Sequence, residues 1–470
     1  MVAYKQHERA HRILRACVKV RKTSRNKVPL VLIAIIALCL VAVQVQAAKP
    51  GHPLLKGAYR IDREGWIYVH LEGNPFQIGF QHGYLLADNI NTSWSAAIHV
   101  YWSDEEFGDW WYVARDISRI YVWQKLPAEQ KVEIEGIAAG VRAAGYGWDK
   151  WDITAFNAWA DIDAYWDAYF EKEHPSGHVP LHHWEKGCSA FIATGNATAN
   201  GEIVIAHNTW AGYAGDGYWN VIFDIEPNKG YRIIYQSTGG CIWSGQDWIY
   251  NEAGLMVCET TGVPGELEGY NIKGIPIFAR ERYAMQYTDD IDDWLAVMTY
   301  KGNGAYANEW LIGDAKTEEI CRLQLGYEWN ITRTFDGFFG SCNQAKWRTI
   351  RWEQLCEQHY GDITVELGKT MLADHFDTQK GIEEPSRNTI CGHGEAVGRP
   401  SGAYDGKVTC SSLVMSEMGM WGRWGHPCGT PFIAADFLAL YPEYEWQLPY
   451  LQDLPPTPVD WAYFTKDMTP

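Results

Sequence analysis

The sequence predicts an α+β protein with helices and sheets layered around one sandwich. Residues 84–170 carry a mainly helical pattern, and residues 188–260 run through successive strand candidates separated by turns. Helical patterns return at 277–298, 347–360 and 365–373. A chain of 470 residues suffices for one large domain or two ordinary ones. Its composition, 47% hydrophobic and 21% charged, is that of a globular protein. Its 24 Trp and 27 Tyr supply either a core built on large rings or an aromatic-lined cleft.

The first 48 residues hold nine Lys/Arg against one Glu, so the rest of the chain is strongly acidic within a net charge of −18. Nucleic acid needs a basic face, so no nucleic-acid partner is expected. Residues 1–27 are basic and 28–43 almost wholly apolar; Gln44-Val45-Gln46-Ala47-Ala48 then offers small residues to a signal peptidase. The apolar run falls short of the ~20 residues of a comfortable spanning helix. Two readings stand: a cleaved signal peptide with a long basic leader, or a type II signal anchor with its membrane segment within 28–47. Both place the body outside the cytosol, either secreted, in a lysosome-like lumen, or anchored with an extracytoplasmic domain. Sequons at Asn91, Asn196 and Asn330 fit that placement. Nine cysteines follow the leader, all from Cys188 onward. In an oxidising compartment an odd number leaves at least one thiol unpaired and permits up to four disulfides.

Past the leader, 59–61 and 65–70 alternate as a strand pair. Gly73-Asn74-Pro75 reads as a turn, and Phe76 opens a helix with Gly79 and Gly83 on one face. Residues 128–141 form an amphipathic helix, and 171–187, with Pro175, Pro180 and His182-His183, read as an exposed linker. After Cys188, strands are expected at 218–225, 231–236, 248–250 and 254–260, one helix at 277–298, and a strand pair at 309–312 and 319–324. The Pro/Gly-rich end reads as irregular. No group of His and Cys has zinc-motif spacing, so neither metal nor cofactor is expected.

The central stretch is Lys186-Gly187-Cys188-Ser189-Ala190-Phe191-Ile192-Ala193-Thr194, with its return leg Glu202-Ile203-Val204-Ile205-Ala206-His207-Asn208-Thr209-Trp210. Two β-branched runs across a turn-rich connection make an antiparallel hairpin. Folded about Thr198, it sets Cys188 opposite Asn208, with a slip of one or two residues open. A cysteine, a histidine and an amide thus meet at one strand end.

Gly187-Cys188-Ser189-Ala190 with Ala206-His207-Asn208-Thr209-Trp210 resembles the phospholipase B-like family of N-terminal-nucleophile hydrolases, relatives of the penicillin acyltransferases and the bile-acid amidases. Gly73-Asn74-Pro75 through Gln81-His82-Gly83, and Glu135-Gly136-Ile137-Ala138-Ala139-Gly140, are similar to acyltransferase propeptide motifs. Asn251-Glu252-Ala253-Gly254-Leu255 with Glu259-Thr260-Thr261 resembles the strand and loop that complete the site. Thr389-Ile390-Cys391-Gly392-His393 and Tyr404-Asp405-Gly406-Lys407-Val408 resemble later elements. The resemblance implies a four-layer αββα sandwich and a precursor that cuts itself between Gly187 and Cys188. Residues 1–48 are then the signal peptide or anchor, 49–187 a mainly helical propeptide fragment, and 188–470 the catalytic region, with the two fragments associated after cleavage.

The chemistry expected is that of a cysteine at a new N-terminus. Its freed α-amine, of ordinary pKa about 7.7–8.0, serves as base for its own thiol, so no Cys–His pair is required. The Cys188 thiolate attacks an acyl amide or ester of a lipid or small molecule, giving a thioester that water or an acceptor amine resolves. By resemblance, Asn343 is the oxyanion asparagine and Thr261 a second donor. His207, Asn208 and Trp210 orient substrate, and Arg387 is a late basic residue near the site. His207 and Asn208 depart from the Arg/Asp pair of the amidases and acyltransferases, so those substrate preferences do not carry over. His207 reads equally as a structural histidine. Two other classes remain: a papain-type protease, whose signature around the cysteine is missing, and a non-catalytic, Trp-rich secreted binding domain with Cys188 in a disulfide.

Overall fold

The computed structural model describes residues 52–104, 108–173, 187–342 and 345–469. The leader, the pair His182-His183 and Asn343 lie outside the described residues. Among the described residues, no helix is long and apolar enough to cross a membrane.

Two sheets form the middle of the molecule. Their strands are β1 (Tyr59–Arg63), β2 (Trp66–Gly73), β3 (Ser189–Gly195), β4 (Gly201–Asn208), β5 (Val221–Pro227), β6 (Ile233–Ser237), β7 (Trp248–Asn251) and β8 (Leu255–Thr261). They continue as β9 (Asn308–Asp314), β10 (Glu319–Leu325), β11 (Trp329–Thr334), β12 (Gly337–Ser341), β13 (Asp405–Cys410), β14 (Met420–Trp424) and β15 (Ala462–Phe464). A nine-stranded sheet has the order β1-β2-β5-β6-β7-β8-β9-β10-β11, and a six-stranded sheet the order β12-β3-β4-β13-β14-β15.

Side-chain alternation separates the layers. Tyr68, Ile222, Ile234, Tyr250 and Leu311 of the larger sheet pack with Ile192, Ile203, Ile205 and Met420 of the smaller one in a shared core. Ile67, Val69, Phe223 and Tyr235 point the other way, into a core shared with helices α1 (Pro75–Leu85), α2 (Ala87–Tyr101), α3 (Ala128–Ala143), α4 (Lys150–Asn157), α5 (Asp163–Glu173), α6 (Ile277–Tyr287) and α7 (Ile291–Thr299). Phe191, Val204 and Val408 cover the outer face of the smaller sheet, against Trp352 and Leu355 of α8 (Lys346–His359) and Met371 of α9 (Val365–Leu372). The layers are αββα, as expected from the resemblance.

Local signals placed most elements. Asn74 caps α1, its Oδ1 accepting from Gln77 N at 3.1 Å, with Pro75 in the first turn where no donor is missed. A Cβ on Gly79 would overlap Glu133 O, and one on Gly140 would overlap Phe80 O, so α1 and α3 touch backbone to backbone. The single helix expected over 277–298 is two, because Asp290 caps a new start by accepting from Asp293 N at 2.8 Å. The C-terminal part is not irregular: β13, β14 and β15 complete the smaller sheet, and the short turn between β11 and β12 carries the chain from the edge of one sheet to the edge of the other. The N-terminal part is helical but also supplies β1 and β2, with β2 parallel to β5 from Ile67↔Val221 to Gly73↔Pro227.

None of the nine described cysteines is in a disulfide. Cys258 is buried between the sheets and Cys321 on the helix-covered face of the larger one, so neither meets the other.

Candidate active site

The β3–β4 hairpin forms with Ser189 opposite Asn208 and Ala190 opposite His207, one residue from the expected pairing. The slip arises from an irregularity between Ala193 and Gly195 at the turn, where Gly195 and Gly201 adopt φ +61° and +84°. Cys188 therefore sits just before the first paired residue. Asn208 does not face the thiol but braces the backbone after it: its Oδ1 accepts from Ser189 N at 3.1 Å, and its Nδ2 donates to Ile390 O at 3.0 Å. Upstream, Gly187 N donates to Trp210 O at 3.0 Å. Both sides of the Gly187–Cys188 bond are thus held by the return leg.

Cys188 is fully buried, and its Sγ–H donates to Asp247 Oδ2 at 3.4 Å. Burial, then the carboxylates of Asp247 and Glu259, push the thiol well above its ordinary range. Glu259 on β8 and Glu281 on α6 are buried too, and burial followed by the nearby Asp247 carboxylate raises both. Glu259 Oε1 accepts from Tyr306 OH, which also lies 3.2 Å from Thr261 Oγ1. His207 Nε2 donates to Glu259 O at 2.9 Å; burial, then Lys407, keep the ring neutral. Its Nδ1 is buried without a hydrogen-bond partner among the described residues. One ring nitrogen of His207, Cys188 Sγ and an Asp247 oxygen lie within 4.8 Å of one another.

Two buried cations complete the cluster. Arg348 donates to Cys188 O at 3.2 Å and Ser189 Oγ at 3.0 Å, with its guanidinium 4.6 Å from the centre of the Trp210 ring. Lys407 bonds Asp405 Oδ2 at 3.0 Å, Thr209 Oγ1 at 2.9 Å and Gln246 O at 3.2 Å. Asp405 also accepts from Thr209 N at 2.8 Å, tying β13 to the end of β4.

Of the residues singled out in the sequence, Cys188, His207, Asn208, Trp210 and the Gly187 backbone converge. Thr261 joins through Tyr306. Arg387 does not: it is exposed on the loop after α9, and the guanidinium at the site belongs to Arg348. Arg348 shares the buried side of α8 with Trp352 and Leu355, and a lone arginine on that apolar stripe is the signal that could have found it. Asp247 and Tyr306 sit at φ +65° and +51° on loops and carry no periodic signal. Asn196 and Asn330 are exposed, on the hairpin turn and on β11, whereas Asn91 is half-buried on α2. A cavity of about 600 Å³ adjoins the cluster, lined by Trp159, Thr261, Tyr270 and Tyr306 among others.

Residues 68–326 match the family described as Phospholipase B. An uncharacterized protein of Archaeoglobus fulgidus is 25% identical over 268 residues, covering 54% of this chain and 42% of its own length. Phospholipase B-like protein F of Dictyostelium discoideum is 23% identical over 176 residues, covering 36% of this chain and 31% of its own. The chain thus spans less than half the length of these relatives. Among solved structures, penicillin V acylase from Agrobacterium tumefaciens is similar at 12% identity and TM-score 0.30, covering 50% of this chain and 83% of that one. A mutant of conjugated bile acid hydrolase from Clostridium perfringens is similar at 9% identity and TM-score 0.31, covering 50% and 89%. Likeness at that level does not extend to residue roles. The family match is of another kind: it extends from β2 to β10, its bounds enclose Cys188, His207, Asp247 and Glu259, and it spans more than half of the chain, which therefore belongs to the phospholipase B family.

Proposed function

We propose that the protein is a self-processing N-terminal-nucleophile hydrolase that cleaves an acyl amide of a lipid or small molecule through a Cys188 thioester. The observation that carries this reading is the buried Cys188 thiol, 3.4 Å from Asp247, in a backbone pinned on both sides of Gly187–Cys188. In the uncut chain Cys188 has no free amine, so Asp247 takes the Sγ proton. Sγ bonds to the Gly187 carbonyl carbon, the C–N bond breaks, and the nitrogen of Cys188 leaves as an amine after taking a proton. Water then hydrolyses the Gly187 thioester, releasing a carboxylate and regenerating the thiol. From that point the new α-amine is the base for substrate turnover. His207, neutral with Nδ1 free, and Arg348, holding Cys188 O, position the nucleophile. Thr261 and Asn343 are proposed oxyanion donors, the latter from its motif alone.

Residues 49–187 and 188–470 are proposed to remain one particle after the cut, which the pairing of β2 with β5 supports. The body is proposed to lie in the secretory pathway or a lysosome-like lumen. Deacylation of phospholipid is the second reading, favoured by the family match. The cavity beside Tyr306, which Asp163 and Glu268 line together with Trp159 and Tyr270, is the proposed place for substrate in either case.

The test is N-terminal sequencing and intact mass of the parent beside Cys188→Ala, at neutral and acid pH. The parent should yield a fragment beginning Cys188-Ser189-Ala190, and the variant none. A parent that stays whole under both conditions, with Cys188 in a disulfide, leaves the binding-domain reading in its place. For the cleaved protein, release of fatty acid from N-acyl amides but not from phosphatidylcholine separates the two substrate classes.

A further inference from the structure

Outside the Cys188 site, the fold gathers a second group of soft ligands from positions far apart in sequence. His375 follows α9, Cys391 and His393 lie at the end of the next loop, and Cys428 follows β14. One ligand atom from each of the four lies within 4.8 Å of the others. Cys391 Sγ is 3.8 Å from His393 Nε2, which is 3.3 Å from Cys428 Sγ. A tetrahedral zinc, with Zn–S about 2.3 Å and Zn–N about 2.0–2.1 Å, sets its ligands about 3.3–3.8 Å apart.

The surroundings are those of a metal shell. His393 Nδ1 lies 3.4 Å from Glu395 Oε1, the carboxylate that orients a ligating imidazole from behind. Thr430 N donates to Cys428 Sγ at 3.4 Å, a bond suited to a thiolate. Nε2 of His375 is buried without a hydrogen-bond partner among the described residues. His426 stacks on His393 at 4.3 Å but is not a ligand, because Thr430 O and Tyr213 OH occupy its two nitrogens at 2.7 Å each.

We propose that His375, Cys391, His393 and Cys428 form a structural zinc site that clamps the loop of residues 374–393 to the segment 426–430 behind the Cys188 cluster. Four protein ligands fill the tetrahedron and leave no position for substrate. The clamp has a direct consequence for the site. Ile390, the residue before Cys391, offers its carbonyl to both Asn208 Nδ2 and Trp210 Nε1, each at 3.0 Å. Fixing Cys391 therefore fixes the acceptor that orients Asn208. The sequence shows no zinc motif because only Cys391 and His393 are neighbours.

The test uses the full chain, purified without an affinity tag that binds metal. Elemental analysis should find one zinc per chain, and after chelation and unfolding without reductant both Cys391 and Cys428 should alkylate. Replacement with Co²⁺ should give the thiolate-to-cobalt charge-transfer band and tetrahedral d–d bands. Cys428→Ser should weaken the former, whereas Cys188→Ala should keep the metal. A metal-free protein with a Cys391–Cys428 disulfide overturns the proposal. So does a chelated protein that takes up neither Zn²⁺ nor Co²⁺, or a metal lost in Cys188→Ala and kept in Cys428→Ser. If Cys428→Ser does not fold, the cobalt spectrum of the parent decides.

Discussion

At the scale of single residues, the site depends on groups that hold Cys188 in place as much as on the thiol itself. Arg348 is the clearest: one guanidinium nitrogen binds both Cys188 O and Ser189 Oγ, while the plane lies against Trp210. Arg348→Met leaves both oxygens without that donor. A misplacement of about 1 Å near a reacting atom costs on the order of 10²-fold in rate. The appearance of the Cys188 fragment should slow by about that factor, with the melting temperature near that of the parent. Arg348→Lys should not restore it, because an ammonium cannot both stack and reach in the guanidinium's geometry. Parent-like cleavage in the methionine variant would remove Arg348 from the mechanism.

At the scale of elements, α1 and α3 meet through glycines rather than side chains. Gly79 and Gly83 face the backbone of α3, and Gly136 and Gly140 face that of α1. Close approach lets each helix bury its neighbour's backbone and brings α1 near the larger sheet, where His82 accepts from Gly240 N at 2.7 Å. Gly79→Ala places a methyl against Glu133 O, and since backbone cannot swing aside, the helices must part. Overpacking of this kind costs about 1–3 kcal/mol, so a urea titration should show a lower midpoint for Gly79→Ala. Gly147→Ala, with open space around it, should leave the midpoint unchanged.

At the scale of the whole molecule, the two parts on either side of Gly187 share a buried charge network as well as a sheet. His70 Nδ1 on β2 lies 2.7 Å from Asp224 Oδ2 on β5, and Asp224 also accepts from Arg232 at 2.6 Å and from Tyr68 OH at 2.7 Å. Burial would raise Asp224, but Arg232 and His70 outweigh it and hold the carboxyl below its ordinary range. Burial would lower His70, but Asp224 outweighs it and holds the imidazole above its ordinary value. The Asp224 contribution is present above about pH 3.9 and is lost as the pH falls through its lower folded value. The His70 contribution is full below about pH 6.5 and is lost as the pH rises through its higher folded value. The gap in melting temperature between the parent and His70→Gln should therefore be wider at pH 5 than at pH 8.5. An equal gap at both would show that the pair does not bind the proton. Asp224→Asn takes from Arg232 its buried partner, leaving it Asp467 and Glu226 at the surface, and takes from His70 the carboxylate that holds its proton, so its cost should be larger at pH 5 than at pH 8.5.

What could be read along the chain is what neighbouring residues dictate to one another. Apolar, β-branched runs bounded by turns placed β3, β4 and β6–β10 to within a few residues, Asn74-Pro75 placed the start of α1, and the Gly187-Cys188-Ser189 step marked the candidate nucleophile. The short runs of β13 to β15 were not legible, because their strand character comes from the partners they join across the smaller sheet. Nor were Asp247, Tyr306 and Arg348, which lie 59, 118 and 160 residues beyond Cys188 and come to it only when the layers close. It took the folded arrangement to show that Asn208 braces backbone rather than thiol, since one residue of slip at a hairpin turn changes every facing pair. The same arrangement gathered His375, Cys391, His393 and Cys428, since the distance that makes a metal ligand is set by the meeting of two loops and leaves no period in the chain.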